Sequence, residues 1–136
     1  GGQQQRAAIA AVLAMKPEVM VLDEPTSFLD PLSAVHILDA IANLGSELGI
    51  TIVLIEHRLD VVSRYASRIL IMDEGRIVLE GPPSRVFGEE ARLLGVGIPK
   101  VPMLFSLLRQ DGFDLGGIPV TVEEASRQIR RRLEDD

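Results

Sequence analysis

The stretch "VMVLDEPTSFLD", residues 19–30, runs four apolar residues straight into Asp23 and Glu24 and then turns on Pro25. A short, β-branched-rich apolar run has the pattern of a strand buried on both faces, as in a parallel sheet. Acids at the end of such a strand are costly unless they have a partner or a task. Asp30-Pro31 has the chemistry of a helix N-cap followed by the first helical residue. Val35, Leu38, Ile41 and Leu48 give that helix an apolar face, and Gly49 ends it. "ITIVLIEH", residues 50–57, repeats the buried-strand pattern. A helix between two such strands is a βαβ unit, which predicts an α/β fold with a parallel sheet.

On the N-terminal side, "RAAIAAVLAM", residues 6–15, is rich in strong helix formers and free of Gly and Pro. Lys16-Pro17 stops that helix. On the C-terminal side, a short helix is expected around residues 59–66. "RILIMDEGRIVLEG", residues 68–81, reads as two strands joined by a tight Asp73-Glu74-Gly75 turn. Pro82-Pro83 breaks that pattern. Composition then shifts, near residues 84–95, to short helices punctuated by Gly and Pro. The last helix begins at "TVEE", where Thr121 and Glu124 have capping-box spacing. Its stripe is Val122, Ala125, Ile129 and Leu133, and Arg130, Arg131 and Arg132 near its end suit the helix dipole.

With 136 residues, 46% of them hydrophobic and 25% charged, the chain suits one globular domain or a piece of one. A net charge of −6 argues against a nucleic-acid surface, which needs a basic patch. With 4% aromatic residues the chain lacks a stacking platform for single strands. The absence of cysteine excludes disulfides and thiolate metal sites. No apolar run approaches the roughly 20 residues of a membrane span. The start "GGQQQR", without Met, reads as a cut helix start.

Ligands of a parallel sheet sit at the carboxyl ends of its strands. The first strand delivers Asp23 and Glu24 to that edge, and the second delivers Glu56 and His57. Asp23, Glu24 and the His57 imidazole so placed suit Mg²⁺ binding through an acid, water positioning and phosphate sensing. Taken singly, each has a plainer reading. The acid pair satisfies backbone donors in a turn, His57 caps a helix, "GGQQQR" is a flexible end, and Arg130–Arg132 is a solvated face.

In joint order these stretches resemble the ATP-binding cassette (ABC) ATPases over about residues 1–90. "GGQQQR" is similar to the tail of their signature motif, and "VMVLDE" to Walker B. "SFLD", residues 27–30, resembles the D-loop, with Phe28 where a smaller residue is usual, and His57 stands where the switch histidine stands. The resemblance implies that Asp23 supports Mg²⁺ through water, that Glu24 polarises the attacking water, and that His57 bonds the γ-phosphate of ATP. It further implies that Gly1 and Gly2 meet the phosphate of ATP held by an opposite subunit. Gln3 would lie beside the ribose and γ-phosphate, and Asp30 would link the two sites across a head-to-tail dimer.

The Gly-rich Walker A loop ending in Lys-Ser or Lys-Thr is absent from these residues. The expectation is therefore a partial P-loop NTPase (RecA-like) parallel sheet lacking the Walker A half, residues 1–85, followed by a small helical C-terminal tail, residues 86–136. Such a piece is expected to be inactive alone and to leave an open apolar sheet edge. "EHRLD", "LDP" and the tail look like the energy-coupling-factor importers, which take up vitamins or metal ions. The implied partners are a second ABC ATPase subunit, identical or related, and a transmembrane subunit, at the cytoplasmic face of the membrane. Leu104, Leu107, Leu108, Ile129 and Leu133 either face such a partner or pack on their own domain. Two other classes compete: a soluble cassette ATPase acting on ribosomes or DNA, and a non-catalytic interaction domain of the same fold.

Overall fold

The computed structural model describes residues 2–134. Contacts within the chain gather into two compact units that divide between Arg58 and Leu59. The first contains α1 (Gly2–Ala14), β1 (Val19–Asp23), α2 (Pro31–Leu48) and β2 (Thr51–Ile55). β1 and β2 pair in parallel from Val19↔Thr51 to Asp23↔Ile55. This is the βαβ unit expected from the two apolar runs and the capped helix between them.

Both ends of α2 are fixed by local chemistry. Asp30 accepts from the backbone N–H groups of Leu32 and Ser33 at 3.1 and 3.0 Å. Pro31, with its fixed φ and no N–H to satisfy, takes the first helical position. At the other end Gly49 adopts φ 67°, a left-handed conformation that glycine enters without steric cost, and its N–H donates to the Gly45 carbonyl. Gly45 also lets the helix lie close on the sheet. A Cβ there would fall 2.4 Å from Ile52 Cδ1.

Two sequence expectations are corrected here. The buried stripe of α2 is Ala34, Ile37, Leu38, Ile41 and Gly45, whereas Val35 is half-buried and Leu48 is exposed. The helix turns on Leu38 and Ile41 toward its small residues, because these allow close approach to β2. Nor are the strands buried on both faces. Met20, Leu22, Ile52 and Leu54 share the face that is wholly or partly covered. Val19, Val21, Val53 and Ile55 share the opposite face and are 54, 62, 44 and 50% exposed. A continuous apolar run needs helices on both sides of the sheet, and within this unit only one side is covered.

The second unit contains α3 (Leu59–Tyr65), β3 (Ile69–Asp73), β4 (Arg76–Gly81), α4 (Pro83–Val86), α5 (Glu89–Leu93), α6 (Lys100–Gln110) and α7 (Val122–Glu134). β3 and β4 form an antiparallel hairpin from Ile69↔Gly81 to Asp73↔Arg76. Glu74 and Gly75 between them have φ 45° and 76°, the pair of positive angles that a type I′ turn requires. Ile69 and Leu79 of the hairpin pack with Val86, Phe87 and Ala91 in one buried cluster. The core of this unit therefore runs across the compositional change near residues 84–95.

The start of α7 follows its capping-box spacing in a modified form. The Glu124 N–H donates to Thr121 Oγ1 at 3.2 Å. In return Glu124 Oε2 accepts from the N–H of Val120, one residue before the cap, at 2.9 Å. Of the α7 stripe, Ala125 is buried and Ile129 half-buried, while Val122 and Leu133 are exposed. Leu104 and Leu107 of α6 are also largely exposed, and Leu108 is half-buried. Among the described residues no helix is long and apolar enough to cross a membrane.

The two units offer a contrast that tests this packing. Phe87 is fully buried and Phe28 is 88% exposed. Phe87→Ala is expected to lower the unfolding free energy of its unit by about 3–5 kcal/mol. Phe28→Ala is expected to change stability by less than ~0.5 kcal/mol. Urea titration of each variant, followed by circular dichroism, checks both.

Candidate functional site

The site lies at the carboxyl end of the parallel pair. The β1–β2 ladder ends level, with Asp23 opposite Ile55. One further bond extends it, as the Glu24 N–H donates to the Ile55 carbonyl at 2.9 Å. Glu24 itself adopts φ 43° and precedes Pro25. A left-handed conformation costs a non-glycine residue on the order of 1–3 kcal/mol and persists only where its surroundings determine it. Those surroundings are visible. Pro25 and Thr26 are buried. The Ser27 hydroxyl and N–H both donate to the Glu24 carbonyl, at 3.1 and 3.2 Å. The Leu29 N–H donates to the Thr26 carbonyl at 3.1 Å.

From this turn the Glu24 carboxylate meets the imidazole of His57. Glu24 Oε1 lies 3.4 Å from His57 Nδ1, with the two side chains 49 and 66% exposed. At such exposure the pair adds little to stability. It remains open to solvent and to a ligand. Beneath it lies a second, less accessible pair, in which the Thr26 hydroxyl donates to Glu56 Oε1. Thr26 is fully buried, and the other oxygen of Glu56, also shielded from solvent, has no partner among the described residues.

The structure thus brings Glu24 and His57 together, and it sets Asp23 next to them as the last, exposed residue of β1. Gly2 opens α1, and Gln3 is exposed in its first turn. Gly1 lies outside the described residues. Asp30 follows the turn and caps α2. Among the described residues no group of three His, Asp or Glu side chains is arranged to enclose a metal ion. Asp23 and Glu24 are nevertheless hard oxygen donors on an open rim. That donor set fits Mg²⁺, which takes one or two carboxylates and completes its shell with water and substrate phosphate.

Sequence reasoning placed Glu56 at this edge but gave it no role, and it missed Thr26. A polar residue after Pro25 suggests only a turn. That its hydroxyl is buried against a carboxylate 30 residues away is a consequence of strand register.

With this geometry in view, comparison with known proteins defines the class. Residues 1–27 match the family model described as ABC transporter. The structure superposes, with a TM-score of 0.56 and 36% identity, on the ADP conformation of an ATP-binding cassette of an ABC transporter. That match covers 60% of this chain and 32% of the other. The chain therefore has a partial α/β fold of the ABC ATPase cassette type. More particularly, it is similar over nearly all its length to energy-coupling-factor transporter ATP-binding proteins. It is 42% identical over 131 residues to EcfA2 of Clostridium tetani, a match covering 95% of this chain and 46% of that protein. It is 44% identical over 133 residues to EcfA1 of Caldanaerobacter subterraneus, covering 96% of this chain and 48% of that protein. The chain thus spans less than half the length of these relatives.

Asp30 allows a pH test of the turn that carries the site. The Ser33 hydroxyl first, and then the Ser33 and Leu32 N–H groups, hold its carboxyl below the ordinary value of 3.8. A depressed carboxyl contributes stability that is complete above the unfolded value and is lost as pH falls through the folded one. Asp30→Ala is therefore expected to lower the urea midpoint at neutral pH. The gap to wild type should close as pH falls below 3.8. Parallel urea titrations across that range check it.

Proposed function

We propose that this chain carries the catalytic carboxylate and the phosphate-sensing histidine of an ABC-type ATPase that drives membrane transport. The observation that supports this best is the Glu24–His57 pair, 3.4 Å apart at the carboxyl end of a parallel strand pair. In phosphoryl transfer, positioning and electrostatic stabilisation supply most of the catalysis. Glu24 accepts a hydrogen bond from the attacking water and turns its lone pair toward the γ-phosphate of ATP. His57 holds the water in line and donates to a γ-phosphate oxygen. Asp23 is the residue to hold Mg²⁺, through water. The ion, when bound, neutralises charge on the β- and γ-phosphates.

The left-handed backbone of Glu24 suits this role, since it sets the direction in which the side chain leaves the turn. Gly2, at the start of α1, together with Gly1 before it in the sequence, is assigned to offer backbone N–H groups to a phosphate held by an opposing cassette, and Gln3 to meet the ribose and γ-phosphate. Asp30, the cap of α2, is the residue assigned to link the two sites across that head-to-tail interface. The partners are a second ABC ATPase subunit and a transmembrane subunit, which places the assembly at the cytoplasmic face of the membrane. Similarity to the energy-coupling-factor proteins favours uptake of a vitamin or a metal ion by a separate capturing subunit. The 136 residues contain no Gly-rich loop ending in Lys-Ser or Lys-Thr to cradle the triphosphate. By themselves they neither bind ATP tightly nor hydrolyse it.

Glu24→Gln, made in a full-length cassette that includes these residues, tests the reading. Loss of turnover by about 10²–10⁴-fold is expected, the range for a positioned base, with ATP-bound dimers retained on size exclusion. Normal turnover would exclude Glu24 as the water-polarising group. Calorimetric titration of the 136-residue chain with ATP is expected to show no micromolar binding.

A further inference from the structure

Glu24 and His57 do not fix their own spacing. Both side chains are about half or more exposed, so no packing holds them at 3.4 Å. The distance must be set by the backbone turns that carry them, and two bonds tie those turns together. One is the Glu24 N–H to the Ile55 carbonyl, which continues the ladder. A single bond at the strand end leaves the turn free to pivot about it. The other is the Thr26 hydroxyl to the Glu56 carboxylate.

From this geometry we infer that Thr26, acting through Glu56, is a positioning residue that sets the distance between Glu24 and His57. Thr26 lies two residues beyond Glu24, and Glu56 immediately precedes His57. The bond thus clamps the two turns on the far side of the ladder bond. Thr26 is fully buried, so water does not replace its hydroxyl. The second Glu56 oxygen is shielded and has no partner among the described residues. Thr26 is therefore the sole hydrogen-bond partner of that carboxylate within them. Without the hydroxyl, a shielded carboxylate has every reason to swing toward water. It would carry the turn of His57 with it.

This inference rests on the catalytic reading of Glu24 and His57, and the test separates the two. Steady-state ATPase kinetics are measured on a full-length cassette that includes these residues. Thr26→Val keeps the shape and removes the hydroxyl, and Glu56→Leu removes the acceptor. Both are expected to lower kcat by ~10–100-fold, the scale of a small misplacement of a catalytic group. KM for ATP should stay within about twofold, since only a transition-state interaction is lost. Thr26→Ser and Glu56→Gln keep a donor and an acceptor, and should restore kcat to within about threefold of wild type.

Wild-type kcat in Thr26→Val and Glu56→Leu, with Glu24→Gln inactive, would overturn the positioning role alone. So would an equal loss in Thr26→Ser, which would mark a merely structural threonine. Full activity of Glu24→Gln would remove the catalytic reading first. If Thr26→Val does not fold, the comparison of Glu56→Leu with Glu56→Gln, at a site only partly buried, decides the matter.

Discussion

The level ending of two parallel strands is the constraint on which the first unit depends. Parallel neighbours cannot be joined by a tight turn, so the chain must cross back over the sheet. α2 makes that crossing, and its 18 residues span about 27 Å at 1.5 Å each. Asp30 and Gly49 set where the helix begins and ends. Gly45 sets how closely it lies on β2. A one-residue slip in the register Asp23↔Ile55 would turn every side chain of one strand to the other face. Glu24 would then lose its ladder bond and His57 its place beside the carboxylate.

The rim is built against local preference. Glu24 is neither glycine nor asparagine, yet it takes a left-handed conformation ahead of a proline. An exposed carboxylate–imidazole contact does not offset such a cost. The bonds to the Glu24 carbonyl and N–H, and the burial of Pro25 and Thr26 below them, do. Well-satisfied backbone thus supports an acid held in a posture it would not choose alone. That division of labour is expected where geometry at a reacting centre matters more than stability.

Much of this was legible in the residues. Apolar runs of four or five with β-branched residues mark β1 and β2, and the Asp30-Pro31 and Gly49 signals bracket α2, because these are local rules of backbone chemistry. The hairpin is written in Glu74-Gly75 for the same reason. Strand burial is not legible in the same way, because the run in residues 19–22 encodes cover on both sides and the unit supplies it on one. The face of α2 is legible only in Leu38 and Ile41, because the small residues Ala34 and Gly45 mark close approach without a large apolar side chain. The meeting of Glu24 and His57 at one edge is legible because each stands at a strand end. The role of Thr26 is not, because a hydroxyl in a turn carries no trace of the partner that strand pairing will bring to it.

The span between Thr26 and Glu56, 30 residues, has a kinetic meaning. No segment of the chain shorter than the whole crossover contains both halves of the rim. Loop closure of that length must be completed before any bond across it can form. The acids therefore exist from the moment the chain is made, but the arrangement that gives them reach does not. A molecule stalled before the crossover docks would display carboxylates without the imidazole that later stands beside them.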